Sequence, residues 1–294
     1  SAEKPSAVSS DTAAKDSSPA TTYAAGSRDN TPVVLTGSAD GTVTYGNDSV
    51  TVDASHTEEG YLMVSYSGSN SKVKLQITGS DEITYTYNLH DGYETFPLTS
   101  GSGSYTVGVF ENIEGTSYST LFTQAIDVTI QDEFGPYLYA NQYVNFSADS
   151  KVISKAMELS ASANDDLEVI ENVYNYIITN FTYDYDKAAS VQSGYLPNVD
   201  EVLASQTGIC FDYAAVMASM LRCQRIPTRL EVGYMGDVYH AWISTYIKDK
   251  GWVNGIIEFD GNDWKLMDPT FASTSSDPKD FLTQTDEYIT KNVY

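Results

Sequence analysis

The sequence predicts a multidomain chain, an N-terminal all-β, sandwich-like domain followed by a C-terminal α+β domain. Three observations carry that reading. Short runs rich in Val, Thr, Tyr and Ile recur between residues 32 and 131, bounded by Gly, Ser, Asn and Asp. Helical periodicity begins only near Ala148, and strand-like runs return after Pro227. Strands, then helices, then strands again is the order expected of an α+β architecture added to a β domain.

Residues 1–31 are dominated by Ser, Ala, Thr and Pro and show no apolar period. Such a segment buries too little surface to offset its ordering entropy, so a disordered tether is expected. Residues 32–131 form the β domain. Its clearest strands are Gly41–Tyr45, Tyr61–Tyr66, Lys72–Ile77, Ile83–Tyr87 and Tyr105–Phe110. In the third, Val73, Leu75 and Ile77 face one way and Lys72, Lys74 and Gln76 the other, as in a half-buried strand. This region offers no nucleophile–base pair. It is expected to fold alone and to leave the chemistry to residues 132–294.

The second domain, residues 132–294, contains a helix from Asn164 or Asp165 to about Asn180. Leu167, Ile170, Tyr174, Ile177, Ile178 and Phe181 share one face, and Asn164, Asp165 and Asp166 are candidate caps. A second helix follows Gly208, and Pro227 forces it to stop near Gln224. Cys210 falls in its first turn. Unpaired N–H groups and the positive end of the helix dipole stabilise a thiolate there and can donate to an oxyanion, so a lowered thiol pKa is expected. Cys223 lies at the far end, where neither effect operates, and reads as structural. If one helix carries both cysteines they are about 20 Å apart, too far for a disulfide.

Three strands follow, Thr228–Tyr234, His240–Ile247 and Asn262–Asp268. His240 starts its strand and Asp268 ends its own, so an antiparallel hairpin would set them side by side. A thiol nucleophile needs a base within hydrogen-bond reach and a group that fixes the base's tautomer. Cys210, His240 and Asp268 supply those parts. Each has a plainer reading, as a small core residue, a core histidine and a turn former before Pro269. Those readings explain the residues singly but not together. Trp242, on the His240 face of its strand, is a candidate substrate contact.

The motifs Gly208-Ile-Cys-Phe-Asp-Tyr-Ala-Ala215, Arg225-Ile-Pro227, Gly233-Tyr234, His240-Ala-Trp242 and Asp268-Pro-Thr270 resemble the transglutaminase-core superfamily in order and spacing, across roughly residues 150–275. The resemblance implies a papain-like core with a Cys210–His240–Asp268 triad, and it is strongest for bacterial secreted or surface-attached members. Animal transglutaminases use a Trp upstream of the Cys as an oxyanion donor, whereas all three Trp here lie downstream. Gln206 and Tyr195 are the candidate replacements. The implied activity is cysteine-dependent acyl transfer on peptide or protein amides, cell-wall or surface proteins included. The alternative is a catalytically idle surface binding or scaffolding protein.

Composition narrows the remaining classes. Forty acidic against sixteen basic residues give a formal charge of −24, a poor match for nucleic acid. No apolar run is long enough to span a membrane, and no signal peptide is visible, although a mature secreted chain would have lost one. No Asp-rich loop has EF-hand spacing, and no zinc-type Cys pairs occur, so neither cofactor nor metal is expected. A secreted or surface-anchored location, with a lipoprotein anchor as one option, follows from the tether and the resemblance.

Overall fold

The computed structural model describes residues 24–259, 264–267 and 288–294. The N-terminal region is sheet-rich. Its strands are β1 (Thr44–Gly46), β2 (Val50–Asp53), β3 (Tyr61–Tyr66), β4 (Val73–Thr78), β5 (Thr84–Asn88), β6 (Glu94–Pro97), β7 (Gly103–Glu114) and β8 (Ser117–Val128). They form two four-stranded sheets with orders β1-β2-β3-β6 and β5-β4-β7-β8. The alternation read from residues 72–77 holds, since Val73, Leu75 and Ile77 are all buried. Tyr85 and Tyr87 are likewise buried while Thr84, Thr86 and Asn88 are exposed.

Helices follow. α1 (Lys151–Ser160) and α2 (Asp166–Asn180) precede β9 (Thr182–Tyr183), α3 (Tyr185–Ser190), α4 (Val199–Ser205) and β10 (Thr207–Gly208). Asp165 caps α2 by accepting the Glu168 N–H, the role its position implied. α5 (Cys210–Cys223) is buried from Asp212 onward. Ala214, Ala215 and Ala218 keep its surface narrow, so that α1, α4 and a sheet all pack against it.

That sheet contains β11 (Thr228–Met235), β12 (Val238–Ile247), β13 (Gly251–Phe259), β14 (Trp264–Met267) and β15 (Tyr288–Val293), in the order β14-β13-β12-β11-β15. β13 corrects the expected hairpin, because it lies between the strand of His240 and the strand that leads to Asp268. Asn254 and Gly255 in its middle weaken its strand propensity, which hides it in the sequence. β15 runs beside β11, where a Cβ on Gly233 would meet the Ile289 carbonyl oxygen at 1.9 Å, so only glycine admits this approach. Arg222, fully buried, donates to the Tyr139, Thr228 and Tyr294 carbonyls and ties this C-terminal strand to α5.

The buried side chains of both N-terminal sheets, the helices and the last sheet form one continuous apolar cluster. The inner end of the expected tether is docked. Gly26 N–H bonds to the Ala161 carbonyl, Arg28 pairs with Asp166 at 2.7 Å, and Arg28 also reaches Gln224. The charged and amide groups that hold this segment lie more than a hundred residues away, so its local composition could not reveal them.

Candidate active site

Cys210 is the first residue of α5, with Ile209 as N-cap. The turn before it depends on Gly208, because a Cβ there would sit 2.8 Å from the Asp212 side chain. Asp212, at the third helical position, folds back so that Oδ2 accepts the Ile209 N–H at 2.9 Å. The same oxygen takes a hydrogen bond from Lys187 Nζ at 2.7 Å, and Oδ1 takes one from the Tyr195 hydroxyl at 2.5 Å. Asp212 is fully buried, so α3 and the segment after it are pinned to the nucleophile's turn by one satisfied carboxylate. Lys187 Nζ also lies 4.5 Å from the centre of the Tyr195 ring.

The thiol does not behave as its helix position alone implies. Burial raises the Cys210 pKa. The backbone N–H groups of Ala241, Phe211 and Cys210 itself lower it, and the charge of Asp212 raises it again. The net is a thiol above its ordinary value. The expected lowering fails because desolvation and a carboxylate two residues along outweigh the N–H donors. Cys210 nevertheless keeps some exposed surface. Cys223 is fully buried, its thiol pKa pushed up to about 12 by desolvation, with its Sγ directed at the Met220 carbonyl.

His240 is the third residue of β12, opposite Gly233 of β11. Its neighbour Ala241 lines the same two cavities as Cys210, and the Ala241 N–H acts to lower the thiol pKa, so the strand that carries the histidine runs beside the thiol. Cys210, His240 and Ala241 line one cavity of about 540 Å³. The His240 ring stacks on Trp242, with centroids 6.2 Å apart and an interplanar angle of 24°. Trp242 is 3% exposed and donates Nε1–H to Glu231 Oε2 at 2.7 Å, so it backs the histidine and is absent from the wall of this cavity. Burial raises the Glu231 pKa, against hydrogen bonds from Trp242 and Ser244 and the charge of Arg229.

Asp268 lies outside the described residues. The two candidate oxyanion donors are both placed. Gln206 ends α4 in a left-handed conformation and gives its amide N–H to the Tyr176 hydroxyl at 3.2 Å, away from the cavity wall. Tyr195 lines the cavity, but its hydroxyl proton goes to Asp212. The Ala241 N–H is the group near the sulfur that the sequence reading did not name.

Thr86, Tyr87, Asn88 and His90 of the β region line the same cavity as Phe211, Tyr239 and the segment around Tyr195.

Residues 153–255, which span α2, α5, His240 and most of the last sheet, match the model of the transglutaminase-like superfamily. This segment is a transglutaminase-like domain. The UPF0252 protein of Methanocaldococcus jannaschii is 28% identical over 89 residues, 29% of this chain. The chain spans about a quarter of that relative's length (24%). Among solved structures, a candidate cysteine protease from Cytophaga hutchinsonii superposes at TM-score 0.39 and 16% identity, covering 86% of this chain and 74% of that one. Red sea bream transglutaminase gives 0.26 and 14%, covering 71% and 48%. Scores this low carry no argument about activity. The family-model match over residues 153–255 is what ties this segment to its superfamily.

Proposed function

We propose that this protein is a cysteine acyl-transfer enzyme acting on peptide or protein amides. One observation supports it most. Cys210 sits at a helix N-terminus and shares one cavity with His240 and the adjacent Ala241. In the proposed cycle His240 removes the thiol proton as Cys210 Sγ attacks the substrate carbonyl. Backbone N–H groups around the sulfur, with that of Cys210 itself, stabilise the tetrahedral oxyanion. His240 returns the proton to the departing amine, and the C–N bond breaks to leave a thioester. Water or a second amine then attacks the thioester, gives its proton to His240 and releases the thiol. Asp268 is assigned the orientation of His240, Trp242 supports the ring from behind, and the N-terminal sheets serve as a sandwich-like domain beside the core.

A raised thiol pKa suits this sequence of steps. The thiol stays protonated at rest, and the proton moves only when His240 accepts it during attack. We assign the protein to the outside of the cell, secreted or surface-attached, with cell-wall or surface proteins as the substrate class. The test uses a glutamine-containing protein with and without a primary amine, analysed by mass spectrometry. Loss of all product on Cys210→Ser and on His240→Ala supports the assignment. Wild-type product levels in either variant refute it. An idle scaffold would form no acyl-enzyme at Cys210 with any amide or ester substrate.

A further inference from the structure

The β region brings more than a wall to the cavity. β5 is a terminal strand of its sheet, paired on one side only, to β4. The bond from Leu89 N–H to the Val73 carbonyl (2.9 Å) fixes the phase of that ladder. Residues 85, 87 and 89 turn their backbone groups toward β4. Thr86 and Asn88 therefore turn theirs away from it. Asn88 verifies this, because its carbonyl accepts Gln142 Nε2 from outside the sheet at 2.7 Å. Both Thr86 and Asn88 line the cavity that contains Cys210.

Exposed sheet edges are ordinarily blunted by Lys, Pro or a bulge. The run Thr84-Tyr-Thr-Tyr-Asn88 has none of these, and its pairing to β4 is regular. Among the described residues no strand pairs with this edge, and Gln142 holds only its Asn88 carbonyl. Two ring steps lead inward from it, Tyr87 to Tyr143 at 5.7 Å and Tyr143 to Phe211 at 5.5 Å, and Phe211 is next to Cys210. An extended chain covers such a path in about three to four residues at ~3.3 Å each.

We infer that the outer edge of β5 is a docking rail for an extended peptide, which adds to the sheet as a strand and leads its acyl group to Cys210. This rests on the acyl-transfer reading. Main-chain bonds to the Thr86 N–H and carbonyl and to the Asn88 N–H supply affinity largely independent of side chains, and the flanking tyrosines supply side-chain selection. Charge sets the class of peptide. The chain carries −24, yet among the described residues no carboxylate lines this cavity, while Lys74, paired across the strands with Asn88, does. The fitting occupant is a neutral or acidic peptide. The segment around Gly194 narrows the path at Asn88. Gly194 has φ +86°, and a Cβ there would meet Asn88 Nδ2 at 2.7 Å.

The experiment measures labelling rates of Cys210 in the full chain. One reagent is iodoacetamide, which needs only the thiol. The other is an equimolar library of neutral and acidic acetyl-tetrapeptide vinyl sulfones, whose β-carbon bonds to Sγ while the thiol proton ends on the α-carbon. Thr86→Pro removes an outward N–H without touching the β4 ladder, since edge positions tolerate proline. It should slow the library about tenfold and leave the iodoacetamide rate unchanged. On the wild-type chain, libraries N-methylated at one amide each should show slowing at every second amide. Equal library rates in Thr86→Pro and wild type, or loss with no alternation, would overturn the docking rail while iodoacetamide labelling still stood. If neither reagent modifies Cys210, the acyl-transfer reading falls with it. Light scattering of the same samples covers the remaining occupant. A dimer abolished by Thr86→Pro would assign the edge to a second copy of the chain and overturn the peptide.

Discussion

Lys187→Met separates the charge that guards the nucleophile's turn from the turn itself. Asp212 is fully buried and holds three donors, Lys187 Nζ at 2.7 Å, the Tyr195 hydroxyl at 2.5 Å and the Ile209 N–H at 2.9 Å. Removing one partner of a buried ion pair typically costs about 3–5 kcal/mol. Lys187 is 28% exposed and two neutral donors remain, so the expected loss is lower, about 2–3 kcal/mol in urea unfolding. The thiol should respond as well. The Asp212 charge already pushes the Cys210 pKa up, and losing its counter-ion pushes it further. Iodoacetamide labelling of Cys210, followed against pH, should show its midpoint displaced upward. Asp212→Asn in the same background removes the uncompensated charge and should reverse the displacement. An unfolding midpoint and a labelling midpoint both indistinguishable from wild type would refute the reasoning.

Three further outcomes are expected. In the native wild-type chain, iodoacetamide should modify Cys210 and spare Cys223 on tryptic mapping. The Cys210 rate should climb on the alkaline side of the ordinary thiol value, because burial holds its proton on, and preferential labelling of Cys223 would contradict the assignment. Glu231→Gln should raise Tm at pH 8 and leave it unchanged near pH 3. A carboxyl whose pKa is raised by burial stabilises the fold below its unfolded pKa and loses that contribution as pH rises through the folded value, whereas Gln stays neutral and still accepts from Trp242. Asp268→Asn should leave the far-ultraviolet spectrum intact and lower turnover by as much as about 10⁴, the scale seen when a triad carboxylate can no longer fix its histidine's tautomer, and wild-type turnover would make Asp268 a turn residue only.

What the sequence disclosed follows how local each signal is. The caps and faces of α2 and α5 were legible because Asp165, Gly208 and Pro227 act within one turn of the elements they bound. β3 was found with its full bounds and β4 within a residue, since alternation alone marks a half-buried strand. The expected hairpin of the His240 strand with the next strand, β14, failed for lack of β13, whose central Asn254-Gly255 breaks the apolar alternation. The direction of the Cys210 pKa failed for a different reason. Helix position is a local property, but desolvation is tertiary, and with the Asp212 charge it outweighs the N–H groups near the sulfur. Asp212 itself was within reach, as an acid at the third position of a helix is a known reciprocal cap. Lys187 was not, since nothing near it in the chain announces a carboxylate.

The same distinction bears on what resolves the acyl-enzyme. The resting thiol is desolvated, but the cavity in front of it is large, and its walls carry polar groups of Asn88, His90, Gln142 and Gln192. Amine transfer requires that water be kept from the thioester while an amine is admitted. A cavity of about 540 Å³ with amides and an imidazole in its walls holds ordered water readily. A tetrapeptide along β5 would fill the side of the cavity nearer Thr86 and leave the Gln192 side open to solvent. Hydrolysis should therefore exceed aminolysis even with excess primary amine. Mass spectrometry of a glutamine-containing protein reads both products at once, the acid at about +1 Da and the amide at the mass of the amine less about 17 Da for the ammonia released. Dominant amide, with little acid, would mean that the second substrate closes this cavity, and that acyl transfer to amines is the reaction the site is built for.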